Sequence, residues 1–519
     1  MRDDDNALMP PAQRWLLLCT VVVTNTLYSS TIIISSTLLP QLQGALLATQ
    51  DEVSWTMTFN IVASAVATPP SGWLAARLGV RRSLLLCVVL FGLSTVMCGA
   101  AGSLEEMILW RVLQGAAGAP LVPIGQTLLL NSFPNHQMPT VQSIFGMANM
   151  VGPVAGPMLA GWVAAEYGWR WAFWMLAPII AAALVGIWFL LPRDRITGQK
   201  VELDWTGFLT LSLSVAAAQL VFSRGQRLDW FASYEIVVAT FIAVIALYMF
   251  LVHTMTSERS FLDFRLLNDH NYVVGACMVF IFGALSFAPL ILLPSLLQQQ
   301  AGFPDAAIGE MIAWRGVGAI LGFGVSMMAQ RMDPRVLLLV GACLQTLTGI
   351  WLLSFNLDVS TTELALNSMM QGLCIGLFWA PMSLVTFSTL PADRRATGMS
   401  LFHLLRTFGS SFFISISVAE IMRATGSNYS RLTELISPYN RVLDMPASMG
   451  GFTLETLPGI AKIAKEIDRQ AIMLGYTNAW LMYVLLSASA IPLCLLVKVP
   501  KAKPTTDTMP AGDDTPVRR

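Results

Sequence analysis

The sequence predicts an all-α polytopic membrane protein of fourteen transmembrane helices, built as two six-helix halves with two further helices inserted between them. Three observations carry this. Of 519 residues, 55% are hydrophobic and 12% are charged, about half the charge of an ordinary soluble domain, and mean hydropathy is +0.63. The apolar residues come in blocks of about 20, the length that spans a bilayer as a helix. The first and last thirds of the chain repeat one another. Lys+Arg and Asp+Glu balance at 31 each. This composition excludes a soluble enzyme, a disordered chain and a nucleic acid partner bound through a basic patch.

The blocks run over residues 15–38, 53–75, 83–101, 105–130, 139–162, 169–191, 204–222, 233–253, 272–297, 307–330, 335–355, 363–388, 396–421 and 476–498. In lipid every backbone N–H and C=O must be paired inside the protein, so each block is a helix. Their continuous apolarity does not suit barrel strands. The division is then an N-terminal stretch 1–14, a first half 15–191, an inserted pair 204–253, a second half 272–498 and a tail 499–519. The block that starts at Trp15 is too long for a signal-peptide core and has no small-residue cleavage site behind it. All seven cysteines fall within apolar blocks at no redox or metal-ligand spacing, as small buried hydrophobes do.

Orientation follows from where Lys and Arg sit. Connections after even-numbered helices carry Arg77, Arg81, Arg82, Arg193, Arg195, Lys200, Arg259, Arg265, Arg331, Arg335, Arg394 and Arg395. Those after odd-numbered helices carry only Arg170, Arg224 and Arg227. The even side is predicted cytoplasmic, with both termini inside a cell inner membrane. One outer loop is long, over 422–475. Within it Ile460, Ile463 and Ile467 share a helical face, either an extension of the last helix or a surface for a partner.

The repeat has an offset near 257. Pro134 falls on Pro391, Ser143 on Ser400, and Gln114-Gly115 on Gln371-Gly372, while Arg77 and Arg81 fall on Arg331 and Arg335 at 254. Halves of equal orientation imply a repeat axis along the membrane normal, substrate near the midplane and rocking of one half on the other.

No Ser/His/Asp set, HExxH or Walker A sequence is present, so no enzyme activity, cofactor or metal is expected. Charges inside the bilayer are costly and are functional candidates by default. Arg111 lies about two turns inside the fourth helix, on one face with Gly115, Gly118 and Val122. Arg315 precedes Gly318 and Gly322 at helix-packing spacing. His403 and Arg406 share a face of the thirteenth helix. A cavity lined by Arg111, Arg315, His403 and Arg406 would be electropositive and would suit an anionic or zwitterionic substrate, or a proton relay through His403. Acids are confined to helix ends, with Glu106 and Glu310 the best placed for protons. The fifth helix, with Gly152, Pro153, Gly156 and Pro157, is thin and kinked, as a gate between repeats would be.

These residues resemble the major facilitator superfamily, and within it the fourteen-helix drug:proton antiporters of EmrB/QacA type. GWLAARLGVRR (72–82) is similar to the superfamily loop between the second and third helices, with Gly72, Arg77, Gly79, Arg81 and Arg82 in place. LWRVLQGAAGA (109–119) is similar to the fourth-helix motif whose Arg, here Arg111 with Gln114 beside it, is linked to proton transfer. GPVAGP (152–157) is similar to the antiporter motif. The resemblance implies the major facilitator fold and proton-coupled export of amphipathic small molecules. It also implies a periplasmic adaptor and outer-membrane channel as partners. Two positions depart from the pattern. Ala76 replaces the loop Asp, and Thr31 and Ser36 stand where the first helix would carry an Asp and an Asn. Two alternatives therefore stay open: an exporter or facilitator of a specific anionic metabolite without proton coupling, and a non-transporting scaffold or sensor.

Overall fold

A computed structural model describes residues 10–191, 203–257, 264–300, 302–303, 305–328, 332–356, 359–436, 454 and 456–498. The helices are α1 (Pro11–Thr37), α2 (Leu39–Leu46), α3 (Gln50–Ala67), α4 (Ser71–Leu78), α5 (Val80–Ala100), α6 (Leu104–Gly118), α7 (Leu121–Ser132), α8 (Met138–Tyr167), α9 (Trp171–Trp174), α10 (Ala177–Leu190), α11 (Trp205–Arg224), α12 (Tyr234–Thr256), α13 (His270–Gln299), α14 (Asp305–Met328), α15 (Pro334–Leu353), α16 (Thr361–Ser388), α17 (Ala392–Glu434) and α18 (Leu457–Leu496). Thirteen segments among the described residues are long and apolar enough to cross a membrane. The fourteenth span is α3–α4, interrupted at Pro69-Pro70 and less apolar because Thr56, Asn60 and Ser64 are buried on it. The end at which basic connections cluster is called inner below.

Local chemistry sets the breaks. Pro120 and Pro123 bear no N–H, and the fourth span divides there into α6 and α7. Gly79 joins α4 to α5 at φ +88° and ψ 156°, a region almost closed to residues with a Cβ. Thr49 and Ser360 cap α3 and α16, with Glu52 and Glu363 completing capping boxes that satisfy the first orphan N–H groups.

Two hydrophobic cores form, one drawn from residues 17–191 and one from 266–497, so each half is packed on its own. The inserted pair spans the seam between them. Leu211, Val215 and Phe250 cluster with Ala65 of the first half and Leu404 of the second. Gln219 Nε2–H donates to Ser411 Oγ at 2.7 Å, and Arg227 donates to Ser54 Oγ at 2.7 Å. Asp204 and His253 close the inner ends of the pair at 2.8 Å.

The long outer loop expected over 422–475 is mostly helix. α17 runs 43 residues and α18 runs 40. At 1.5 Å per residue these are about 65 and 60 Å long, twice the hydrocarbon thickness of about 30 Å, so both project beyond the outer surface. Gly475 lets the two approach, since a Cβ there would lie 2.6 Å from the Ile421 carbonyl. Arg469 Nε–H donates to Gln300 O at 3.0 Å. Of the expected apolar face, Ile463 is buried while Ile460 stays exposed, so the chain itself covers part of it.

Helix pairing depends on glycines. A Cβ on Gly318 would collide with the Met369 carbonyl of α16, whereas one on Gly324, in the same helix, meets nothing within 4 Å. Both changes gain up to about 1 kcal/mol of helix propensity. Gly324→Ala is therefore predicted to leave thermal unfolding in detergent unchanged or raised, and Gly318→Ala to lower it. Equal effects would contradict the packing described.

Candidate functional site

Arg111 is completely buried. Ser103 starts α6 by accepting the Glu106 N–H, which sets Arg111 about 10 Å from the helix start. Gly115 has no side chain where Asn60 and Ser64 of α3 press in, and Asn60 Nδ2–H donates to the Arg111 carbonyl at 2.8 Å. Gly118 gives room to the Tyr28 ring. The guanidinium Nη1 donates to Thr31 O of α1 at 2.9 Å and to Gln114 Oε1 at 2.5 Å. Gln114 is itself held, its Nε2–H donating to Thr95 Oγ1 of α5 at 2.8 Å. Nε and Nη2 are buried and make no hydrogen bond among the described residues. Among the described residues only dipoles face this cation, and a buried charge without a counter-ion costs several kcal/mol.

The second half repeats the arrangement with the arginine on a different helix. Arg315 of α14, 7% exposed, donates through Nη1 to Gln371 Oε1 at 2.5 Å and through Nη2 to Ser286 O at 2.7 Å. Gln371 Nε2–H donates to Asn367 Oδ1 at 2.6 Å, and Asn367 Nδ2–H to Thr348 O at 3.1 Å. Gln114 pairs with Gln371 in the repeat at an offset of 257, and Thr31 and Thr95 correspond to Ser286 and Thr348 at offsets of 255 and 253. Each half thus holds a guanidinium between a Gln amide and a main-chain carbonyl of its first helix. One comes from that half's fourth helix, the other from its second. Gly318, Gly322, Gly372 and Gly376 let α14 and α16 approach until backbone meets backbone.

The halves meet at their inner ends and at mid-depth. Ser71 and Ser400 hydroxyls lie 2.8 Å apart. His403 Nε2–H donates to Gln126 Oε1 at 2.6 Å, and the Gln126 amide donates to Gln142 Oε1 at 2.8 Å and Ser383 Oγ at 3.0 Å. His403 is 2% exposed and its Nδ1 is buried without a partner. Gly146 of α8 makes room for Trp379 and Phe323. Higher up, Val154 meets Gly316, and a cavity of about 20 Å³, enough for one water, lies between Pro153, Ser286 and Arg315. Gly152 and Gly156 turn the other way, onto Ser29 and Ser30 of α1, and Ser30 Oγ–H donates to Gly152 O at 3.1 Å. Pro157, a turn beyond Pro153, is the second proline inside α8. The motif helix therefore faces its own half with its glycines and the opposite half with Pro153 and Val154.

The four predicted cationic residues do not share one cavity. Arg111 is sealed in the first half, Arg315 borders the small mid-depth cavity and His403 lies in the inner seam. Half-buried Arg406 stands over the Phe287 and Trp379 rings, 5.8 Å from each centroid. Thr31 contributes its carbonyl, while its hydroxyl donates to Tyr28 O at 2.7 Å. The Ser36 side chain lies outside the described residues, as do Arg193, Arg195, Lys200, Arg259 and Arg331. Gln114, expected at a cavity wall, is fully buried as the clamp on Arg111. Glu106 and Glu310 are exposed near outer helix ends: Glu106 accepts the Gly102 N–H at 2.9 Å and Glu310 the Trp314 indole N–H at 3.5 Å. Gly72 packs on the Ala396 backbone of α17, Arg77 lies over Trp73, and Arg81 donates to Trp188 O at 2.6 Å and covers its ring. Arg82 opens α5 beside it. Sequence reasoning missed Asn60, Thr95, Gln126, Gln142 and Ser383. Their signal was an amide or hydroxyl inside an apolar block, where a partner is obligatory.

The family model of the Major Facilitator Superfamily matches residues 17–414. The multidrug export protein EmrB of Haemophilus influenzae is 30% identical over 445 residues, covering 85% of this chain and 87% of that protein. EmrB of Escherichia coli K12 is 28% identical over 475 residues, 91% and 92% of the two chains. The crystal structure of the human organic anion transporter MFSD10 aligns over 92% of this chain and 100% of its own with a TM-score of 0.56 at 13% identity, a likeness of fold. The chain belongs to the major facilitator superfamily, in its EmrB-type drug:proton antiporter family.

Replacing an unpaired buried cation by an apolar chain of similar length removes a desolvation cost. Arg111→Met removes that cost while leaving Gln114 Oε1 without a donor, and is predicted to leave thermal stability within about 1 kcal/mol of the intact protein or above it. Gln114→Ala, which leaves Thr95 and the guanidinium short of a partner, is predicted to lower it by about 1–3 kcal/mol. Unfolding in detergent micelles reads both, and a fall of more than about 1 kcal/mol for Arg111→Met would reveal a compensating partner.

Proposed function

We propose that this protein exports amphipathic small molecules across the inner membrane by alternating access, driven by the proton gradient, with its basic face and both termini in the cytoplasm. The observation that carries the proposal is the inner seam. Gln126, Gln142, Ser383 and His403 join the halves there through uncharged hydrogen bonds, while α8 turns Met158, Leu159 and Trp162 outward, exposed, beyond the mid-depth contact. With the inner ends joined, we read this as an outward-facing state. Rocking must break the seam.

Among the described residues no carboxylate stands at the centre, so another group must carry the proton. His403 suits the task. Its Nε2–H is committed to Gln126 and its Nδ1 is vacant. A proton arriving from outside at Nδ1 would find no acceptor and would add a charge beside Arg406, three residues along the same face. The cost of a buried charge without a counter-ion is relieved when the inner ends part and water enters, which frees the proton to the cytoplasm while substrate enters. Arg406 with Phe287 and Trp379 offers an aromatic, cationic wall suited to amphiphiles. The multidrug export function named for the two EmrB relatives supports this substrate class. The outward extension of α17 and α18 is where we place the periplasmic adaptor and outer-membrane channel. A second reading, export or facilitated passage of one anionic compound, is favoured by the central charges all being arginines.

Cells lacking their main pumps are expected to accumulate less dye when they express this protein. An uncoupler or His403→Ala is expected to abolish the difference at equal expression. Export that persists with the gradient collapsed would exclude proton coupling.

A further inference from the structure

Prolines open acceptors where the two halves meet at mid-depth. Proline has no N–H, so the carbonyl four residues before it loses its helical donor. Pro157 in α8 frees the Pro153 carbonyl in this way, and Pro294 in α13 frees the Leu290 carbonyl. No described side chain donates to either. Elsewhere in α13 the same effect has a side-chain answer: Pro289 frees the Leu285 carbonyl, and the Tyr483 hydroxyl donates to it at 3.3 Å. Pro153 and Leu290 both line the cavity of about 20 Å³ between the halves, together with Ser286 and Arg315.

Donors face these acceptors from the second half. Ser286 is 4% exposed, and its hydroxyl makes no hydrogen bond among the described residues. Arg315 has no N–H sealed without a partner, whereas Arg111 has two. That difference is expected where the donors of Arg315 open onto a cavity. Ser286 also borders a second cavity of about 20 Å³ beside Gln345. No cation lines that one, and the Gln345 amide is committed to the Tyr483 hydroxyl. The first half has no counterpart. Thr31 corresponds to Ser286 in the repeat, and its hydroxyl is committed to Tyr28 O. A buried water is stable where the space admits it and a few polar groups converge on it. The mid-depth cavity meets both conditions.

We propose that this cavity binds one ordered water, held by Ser286 and Arg315 of the second half and by the Pro153 carbonyl of the first. The water bridges α8 to the Arg315 clamp across the seam. It is an uncharged link that bulk water replaces when the halves part. Pro157 then has a task besides bending α8, which is to open the acceptor. Ser286 holds the site twice, with its carbonyl on Arg315 Nη2 and its hydroxyl on the water. The proposal concerns the resting protein and does not depend on the direction or coupling of transport.

Thermal unfolding of the full chain in phosphatidylcholine nanodiscs tests it. Removing a buried hydroxyl that has no partner raises the unfolding midpoint, whereas removing one that holds a water lowers it. Ser286→Ala is expected to lower the midpoint. Pro157→Ala returns an N–H to the Pro153 carbonyl and so removes the acceptor. Shifts from separated residues without a shared partner add. The double variant is expected to depart from the sum of the two single shifts, because either change alone already releases the water. Pro294→Ala takes the place of Pro157→Ala in the cycle if the latter does not fold. A raised midpoint for Ser286→Ala would overturn the proposal, and so would additive shifts. A cryo-electron microscopy map that resolves ordered water reads the site directly: density within hydrogen-bond distance of both Ser286 Oγ and the Pro153 carbonyl is expected, and its absence would also overturn the proposal.

Discussion

Two buried guanidinium groups that meet no carboxylate among the described residues constrain much of this structure. An unpaired cation in a low-dielectric interior must be met by dipoles or leave. Here each is met by a Gln amide and by a main-chain carbonyl of its half's first helix, Thr31 for Arg111 and Ser286 for Arg315. Those acceptors exist only if three helices approach closely at one level. The glycines at 115, 118, 318, 322, 372 and 376 are therefore part of the same device. They remove the side chains that would hold the helices apart, and the arginines then find their partners.

The swap of helix between the halves follows from this. What the repeat preserves is the place of the charge relative to the first-helix carbonyl and the Gln, and the residue that supplies the charge can stand on either of two facing helices. The fifth helix α8 links this to motion. Its glycines lock it to α1, one turn from the carbonyl that holds Arg111, and its Pro153 borders the cavity beside Arg315. Any shift of α8 along the seam is felt by the surroundings of both cations. The inserted pair, packed on α3 and α17, bridges the seam from the side.

Much of the fold was legible in the sequence because lipid leaves few options. Blocks of about 20 apolar residues must be helices. Lys and Arg placement gave the orientation that we adopt, and the 257-residue offset gave the repeat. Arg111, Arg315 and His403 were legible as charged or titratable residues in apolar surroundings. Their separation into two clamps and a seam was not, since helical periodicity gives the face a residue occupies and leaves open which helix lies opposite. Gln126 and Gln142 were missed for the same reason: each is informative only once its partner is known. Within 422–475 the helical face of Ile460, Ile463 and Ile467 was legible and belongs to α18, while the continuation of α17 to Glu434 was not, because its polar residues fit a helix standing in water as readily as a loop.

We further propose that both clamped arginines, whose surroundings α8 links, are needed for transport. The most direct test is substrate transport in proteoliposomes under an imposed pH gradient, comparing the intact protein with Arg111→Met and Arg315→Met after thermal unfolding has confirmed that both variants are folded. Each substitution alone is expected to remove gradient-driven transport, and the double variant to be no worse than either. Transport by folded Arg315→Met at the rate of the intact protein would contradict it.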